Sequence, residues 1–257
     1  MTKAAIIGIS DLHINSAVAI CPPTVNLDDG GTYHASRTQS WLWRSFLDFA
    51  KQVEQDTAGM RTILLVNGDL GELDTQKRSI QLITLNKATI QRMVWDVLDP
   101  IADNVDRMLF TRGTAAHTGK SSWLEEATAD DTSIAIRQAD NIASHWHYRG
   151  VCEGVRLDIA HHVNAGGLPW NKGNAANKLA ARTLWQYKVQ RDALAPHLVV
   201  RSHNHQYSSS GDNFETTAVL TPAWTVLTEY GYRIGLENVI SDIGGVVIFC
   251  DDGKWEV

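Results

Sequence analysis

Aspartate and histidine residues stand directly after short apolar runs at five places along this 257-residue chain. A carboxylate combined with an imidazole suits Zn, Mn or Fe better than Ca or Mg. Two such ions that share a bridging carboxylate, about 3.5–4 Å apart, clamp the attacking and leaving oxygens of a phosphoryl displacement. The pattern therefore predicts two divalent transition-metal ions (Mn, Zn or Fe), a hydroxide between them as nucleophile, and a histidine that protonates the leaving alcohol. In chain order these residues are Asp11 and His13, Asp69, His117, His161 with His162, and His203 with His205.

The elements that must position these residues are short strands of a largely parallel sheet. A continuous apolar run such as Ala5–Ile9 is typical of a strand that is buried on both faces. Because ligands bind just beyond the carboxyl ends of parallel strands, one edge of the sheet would collect all five groups. Amphipathic patterns predict helices over residues 38–55, 79–97, 121–139 and 175–191.

Local signals mark the ends of two of these helices. Helices tend to end before a proline, so the second is expected to end before Pro100. Ser122, with Glu125 three residues later, fits a capping box at the start of the third.

The period of the apolar pattern changes toward two in the second half of the chain. His145, His147 and Arg149 would then share one face of an edge strand. Beyond Phe214 the pattern predicts strands at residues 216–220, 225–227, 245–249 and 255–257, and no helix. The alternation of strands and helices before this point favours a single α/β domain over residues 1–257.

Composition narrows the class of protein and its compartment. The net charge of −6 argues against a surface that coats nucleic acid, although it leaves room for a local basic groove. Three widely spaced cysteines match no zinc pattern and no disulfide framework, which favours a reducing compartment. The sequence shows no signal-peptide pattern and no membrane-spanning apolar stretch. We therefore expect a soluble cytoplasmic protein that does not bind membranes.

Along the chain the motifs are Asp-x-His, Gly-Asp, Gly followed by His, a strand-end His and a final His-x-His. The order of these motifs resembles that of the calcineurin-like metallophosphoesterase superfamily. The resemblance extends from Asp11 to His205. It implies a metallophosphoesterase-type β-sandwich core flanked by helices, with a binuclear metal site at the carboxyl ends of the strands. It also implies ligand roles: Asp11, His13 and His205 for the first metal, His161 and His203 for the second, and Asp69 as the bridge.

The third motif departs from the family pattern, which is Gly-Asn-His followed by an acid. Here Gly113 and His117 are separated by Thr114, Ala115 and Ala116, and no asparagine is present. Thr114 can supply a weak oxygen ligand, or His117 can itself bind the second metal. The alternative that we favour makes His117 the general acid, because the longer loop carries its imidazole toward the departing oxygen.

Further residues can be assigned from their neighbours. We prefer His161 to His162 as a ligand, because His162 would point to the opposite face if the strand continued. Arg112 and Lys172 are the cations expected to contact the phosphate. The glycine-rich residues 166–171 are either an ordinary turn or a substrate-lining loop. The unplaced histidines, for which we expect surface or structural roles, are His34, His145, His147 and His197.

These observations lead to two candidate functions. The first is a metal-dependent phosphoester hydrolase, a phosphodiesterase or phosphatase and possibly a nuclease, whose substrate is a nucleotide, a nucleic acid or a small molecule. The second is a degenerate binding or structural module with the same fold and little turnover, which the altered third motif favours. A dinuclear amidohydrolase fits less well, since that class typically begins with His-x-His.

Overall fold

Two β-sheets and the helices around them form the part of the chain described by this computed structural model, residues 3–75, 81–163, 172–190, 194–233, 235 and 240–257. The strands are β1 (Ala4–Ile9), β2 (Thr24–Asn26), β3 (Thr32–His34), β4 (Arg61–Asn67), β5 (Arg107–Thr111), β6 (Ser144–His145), β7 (Tyr148–Cys152), β8 (Val155–Ile159), β9 (Leu198–Arg201), β10 (Ser208–Ser209), β11 (Thr217–Leu220), β12 (Val246–Asp251) and β13 (Lys254–Glu256). The helices are α1 (Arg37–Asp56), α2 (Lys87–Ala102), α3 (Ala115–Thr118), α4 (Trp123–Asp130), α5 (Lys172–Val189) and α6 (Glu229–Arg233), with a 3-10 turn at Lys120–Ser122.

The two sheets differ in strand order, but each has parallel strands at its centre. The first has the order β13-β12-β1-β4-β5-β6 and the second β10-β11-β9-β8-β7, while β2 and β3 form a small hairpin. Strands β1, β4, β5 and β6 run parallel to one another, as do β8, β9 and β11. The carboxyl ends of the parallel strands therefore lie at one edge of each sheet, and the predicted ligand residues follow these ends.

Alternation of side chains along the central strands explains their continuous apolar sequence. In β1, Ile7 belongs to the core beneath α1, α2 and α4, whereas Ile6 belongs to the core between the two sheets. A third core, between Ala176 and Ala180 of α5 and Val199 of β9, covers the outer face of the second sheet. Both faces of each central strand are thus buried. The predicted α/β sandwich flanked by helices is confirmed.

Two helix boundaries differ from those predicted. Helix α2 begins at Lys87, because the Asn86 side chain accepts the Thr89 amide proton as an N-cap. It also continues through Pro100 to Ala102, since Ile101 in its last turn packs into the core at 3% exposure. The predicted start over residues 79–80 lies outside the described residues.

The predicted helix over residues 121–139 is shortened to α4, and its capping box is wrong. Ser122 has a left-handed backbone, and its hydroxyl donates to the Gly113 carbonyl oxygen instead of capping the helix. The Glu125 carboxylate accepts from the Leu70 amide at 3.4 Å. Both side chains are engaged by the loops that end β4 and β5, which removes the cap.

The predicted edge strand over His145, His147 and Arg149 is also wrong, because the chain changes sheets there. Strand β6 ends at His145 in the first sheet, and β7 begins at Tyr148 in the second.

Two features after Phe214 also differ from prediction. The short helix α6 is present where none was predicted, and Thr225 forms only an isolated bridge with Ala19. In the described segments, no helix is both long and apolar enough to cross a membrane.

Candidate metal centre

The loops that follow β1, β4 and β9 meet at one edge of the two sheets. The Asp11 amide donates to the Gly68 carbonyl oxygen at 3.1 Å, and the His13 amide donates to the Asp69 carbonyl oxygen at 3.0 Å. The His203 amide donates to Asp11 Oδ2 at 3.2 Å. These hydrogen bonds hold together side chains that are up to 192 positions apart in the sequence.

A left-handed backbone is shared by most of the predicted ligands. The φ angles are 49° at Asp11, 45° at His13, 48° at Asp69, 77° at His203 and 54° at His205. Such conformations cost about 1–3 kcal/mol each in non-glycine residues and persist only where the surroundings enforce them. Their clustering at residues that can bind metal makes this edge the candidate functional site.

Two glycines make the close approach of these loops possible. A Cβ at Gly113 would lie 2.2 Å from the Asp69 amide nitrogen, and one at Gly68 would lie 2.5 Å from His161 Nδ1. Gly68 also has a φ of +78°, which favours glycine. Both glycines belong to the predicted motifs, and the structure gives the steric reason for each.

The first ligand group consists of Asp11, His13 and His205, whose ligand atoms lie within 4.8 Å of one another. His205 Nε2 is 3.4 Å from Asp11 Oδ1 and 3.2 Å from His13 Nε2. The second ligand group consists of Asp69, His161 and His203, within the same limit. His161 Nε2 lies 3.0 Å from Asp69 Oδ2, and His203 Nδ1 lies 3.8 Å from it.

Each group has a partner that orients one of its histidines. His161 Nδ1 lies 2.7 Å from the Asn67 carbonyl oxygen, which leaves Nε2 to face Asp69. His13 Nδ1 lies 2.8 Å from Glu72 Oε1, which leaves Nε2 to face His205. Ring nitrogens of metal-ligating histidines are typically fixed in this way.

Glu72 was missed by the sequence analysis and joins His117 to the first ligand group. Its Oε1 lies 2.7 Å from His117 Nδ1 as well as 2.8 Å from His13 Nδ1. The ring centroids of His13 and His117 are 4.7 Å apart. The available signal was an acid three positions after Asp69, in the same strand-end loop. His13, Glu72 and His117 form a third set of potential ligands.

Opposite charges determine the protonation of the centre. Burial raises the pKa of Asp11, but His161 and His205 outweigh it and hold this pKa at about 2. Burial also raises the pKa of Asp69, but His161 outweighs it and holds this pKa well below the usual range. Burial lowers the pKa of His161, yet Asp69 and Asp11 raise it to about 10. The carboxylates are therefore ionised, and the proton on His161 balances part of their charge.

The donor set fits divalent metal ions. Asp11 Oδ1 and His161 Nε2 are buried, and neither forms a well-aligned hydrogen bond. Asp11 Oδ1 lies 3.9 Å from His161 Nε2 and 3.4 Å from His205 Nε2, while His161 Nε2 lies 3.0 Å from Asp69 Oδ2. Buried polar atoms without a well-aligned hydrogen bond are costly, and a divalent cation held among these ligand atoms would satisfy both of them. Imidazole nitrogens and carboxylate oxygens suit Zn, Mn or Fe, and a bound cation would displace the histidine protons.

Thr114, and not His117, occupies the place beside the second ligand group. Its amide and hydroxyl donate to the two carboxylate oxygens of Asp69, the hydroxyl at 3.1 Å. The hydroxyl also lies 3.4 Å from His203 Nδ1. Of the two alternatives for the missing asparagine, the geometry favours the threonine oxygen, because His117 contacts Glu72 on the side of the first ligand group.

His162 borders the centre, contrary to the expectation that it points away. Its Nε2 lies 3.4 Å from Thr114 Oγ1, and its ring centroid is 5.4 Å from that of His203. The expectation failed because β8 ends at Ile159, so the strand alternation does not continue to His162. His161 is fully buried and His162 is exposed, which keeps His161 as the better ligand.

A buried network of side chains lies beneath both ligand groups and was not predicted. Asn67 donates to Ser202 Oγ at 2.5 Å and accepts from Thr111 Oγ1 at 2.7 Å. Thr221 Oγ1 lies 2.7 Å from both Ser202 Oγ and Ser10 Oγ. These residues end strands of both sheets, so the network fixes the two sheets relative to each other beneath the centre.

Of the two predicted phosphate-binding cations, only the side chain of Arg112 is described, and it is not in either ligand group. Arg112 donates to Ser144 Oγ at 2.8 Å and lies 3.5 Å from Glu126 Oε2, and its side chain is 13% exposed. Lys172 begins α5 after residues 164–171, which lie outside the described residues, as does its side chain.

Other histidines have structural contacts. His145 Nε2 lies 2.9 Å from the Ile136 carbonyl oxygen, and His147 Nε2 lies 2.6 Å from Asp158 Oδ1. His197 stacks on Trp255, and His34 is exposed in β3.

Comparisons with known proteins give weak structural similarities only. No family model and no curated protein matches the chain. A Vps29 mutant from Entamoeba histolytica is similar over 98% of this chain and 88% of its own, with 10% identity and a TM-score of 0.43. Vacuolar Protein Sorting 29 from Cryptosporidium parvum is similar over 100% and 96%, with 11% identity and a TM-score of 0.42. A 5'-nucleotidase from Candida albicans is similar over 98% of this chain and 51% of its own, with 11% identity and a TM-score of 0.39.

Proposed function

We propose that this protein is a metal-dependent phosphoester hydrolase. The observation that carries the proposal is the convergence of the first and second ligand groups, in which the buried Asp11 Oδ1 and His161 Nε2 lie 3.9 Å apart. Asp11, His13 and His205 would hold one divalent transition-metal ion, His161 and His203 a second, and Asp69 both. Bound ions of this kind supply a Lewis acid for the phosphoryl oxygen and lower the pKa of a water to near neutrality.

His117 supplies the proton for the leaving group, and Glu72 orients the His117 ring. Burial lowers the pKa of His117, but Glu72 raises it to about 9, so the imidazole is protonated at neutral pH. Because Glu72 holds Nδ1, the proton on Nε2 is available for the leaving oxygen. The His117 side chain is 27% exposed, which gives a substrate access to it.

Substrate class and compartment are extensions of the same proposal. The substrate is a phosphoester of a nucleotide, a nucleic acid or a small molecule, cleaved as a diester or a monoester. Free thiols at Cys21, Cys152 and Cys250 support a reducing compartment such as the cytoplasm.

Metal content and turnover, measured on the same preparation, test the proposal. Elemental analysis after saturation with Mn or Zn should give two ions per chain. The same protein should hydrolyse bis(p-nitrophenyl) phosphate or p-nitrophenyl phosphate, lose this activity with a chelator, and regain it with metal. Two bound ions without hydrolysis of either ester would favour the degenerate module, for which the threonine at position 114 is the supporting observation. Failure to bind any metal would contradict the hydrolase and favour the degenerate module.

A further inference from the structure

An exposed tryptophan is held rigidly at the edge of the first sheet. The Arg112 guanidinium carbon lies 5.3 Å from the centroid of the Trp146 ring. Arg112 is itself fixed by Ser144 Oγ at 2.8 Å and by Glu126 Oε2 at 3.5 Å. One face of the Trp146 ring is thus covered by a cation that cannot easily move.

The backbone places Trp146 near the loop after β5, which contacts Asp69 of the second ligand group. Strands β5 and β6 run parallel with Thr111 opposite His145, and the Arg112 amide donates to the His145 carbonyl oxygen at 2.8 Å. Trp146 therefore lies opposite Arg112 in the continuation of this register. Arg112 directly precedes Gly113, and Gly113 packs against Asp69. On its other side, Trp146 is followed by His147, whose ring contacts Asp158 of β8, three residues before His161.

The remaining ring surface of Trp146 has no cover in the described structure. Its exposed fraction is 51%, whereas Trp224, which packs in the core, is 1% exposed. An ordered aromatic surface next to a polar centre is suited to stack against a flat ring, as bases stack on aromatic side chains in nucleic-acid-binding proteins.

We propose that Trp146 is a stacking platform for the nucleobase of a nucleotide ester whose phosphate lies at the ligand groups. Arg112 is then a positioning residue that holds the platform, rather than a phosphate ligand. This inference rests on the proposed function for the phosphate anchor. It extends that function by selecting nucleotide esters over phosphoesters that lack an aromatic group.

A matched pair of ligands that resist hydrolysis tests this inference by calorimetry on the full-length, metal-loaded protein. Adenosine 5'-(α,β-methylene)diphosphate carries a nucleobase, and methylenediphosphonate carries the same anionic group without one. The nucleotide should bind about 5- to 150-fold more tightly, which is the range expected for one stacked base. Trp146→Ala should remove most of this difference, and Trp146→Phe should retain much of it.

Trp185→Ala is the control, since Trp185 on α5 is 69% exposed and touches neither ligand group in the described structure. It should leave both affinities unchanged. Equal binding of the two ligands, or an unchanged preference in Trp146→Ala, would overturn the platform while leaving the hydrolase proposal intact. Conversely, a nucleotide that binds through Trp146 while methylenediphosphonate does not bind would support the platform and count against the metal-bound phosphate. No binding of the nucleotide would overturn the platform.

Discussion

The two ligand groups of the candidate centre differ in how completely the protein surrounds them. Each group has two buried members and one partly exposed histidine, which in the first group is His205 at 25% exposure. In the second, the His203 side chain is 38% exposed, and the hydroxyl of Thr114 stands where the family pattern has an amide. The second group is therefore the more open and has the weaker oxygen donor.

This difference predicts an order of metal binding. Each group has one histidine oriented by a partner, and such partners typically change metal affinity about 10–100-fold. The order is therefore decided by the greater exposure of His203 and by the threonine hydroxyl, which is a poorer ligand than an amide oxygen. The first group should fill at lower metal concentration, and activity should follow the second. Substitutions at three positions test this comparison, beginning with the carboxylate that the two groups are proposed to share.

Asp69→Asn should have the largest effect, because this carboxylate belongs to the second ligand group and is proposed to bridge to the first. The change keeps the shape of the side chain but removes its charge. We expect loss of measurable hydrolysis and of tight binding at both positions, measured by elemental analysis and by turnover of bis(p-nitrophenyl) phosphate.

The matched control is Asp74→Asn, the same change at an exposed acid five residues later in the same loop. It should bind two ions and turn over normally. If Asp69→Asn kept both metals or normal turnover, the two groups would be independent sites, and the bridging role would be wrong.

His117→Ala should have the next largest effect, because it removes the proposed general acid beside the first ligand group. Loss of a general acid costs about 10²–10⁴-fold in rate, and it harms esters of poorly leaving alcohols most. We expect a small loss for p-nitrophenyl esters and a large one for alkyl esters. Rates across alcohols of different pKa, at several Mn concentrations, measure it.

An equal loss on every ester that added Mn restores would instead make His117 a metal ligand. That result would extend the first group through Glu72 and sharpen the contrast with the second.

Thr114→Asn should have the smallest effect, and in the opposite direction. An amide oxygen at this position would strengthen the second group, so we expect several-fold tighter binding of the second ion with the first unchanged. A calorimetric titration with Mn measures both. Thr114→Val removes the hydroxyl at similar volume and should weaken the second ion alone. If neither variant altered the second affinity, the openness of that group would not result from Thr114.

The sequence was sufficient for the layered fold because apolar runs and amphipathic patterns report burial directly. The run of β1 predicted a strand covered on both faces, and the structure supplies helices on one side and the second sheet on the other. Boundaries failed where tertiary contacts overrode local signals. Burial of Ile101 carries α2 past Pro100, and the loops that end β4 and β5 draw Ser122 and Glu125 away from a cap.

For the candidate centre, the sequence by itself determined which residue types follow which strands, and hence Asp11, Asp69 and the histidines as potential ligands. Only the tertiary structure decided how they meet. It placed Thr114 and not His117 beside Asp69, and it joined Glu72 to His13 and His117. The physical reason is that left-handed turns and crossed loops set the direction of each side chain, and such turns depend on contacts between segments that are distant in the sequence.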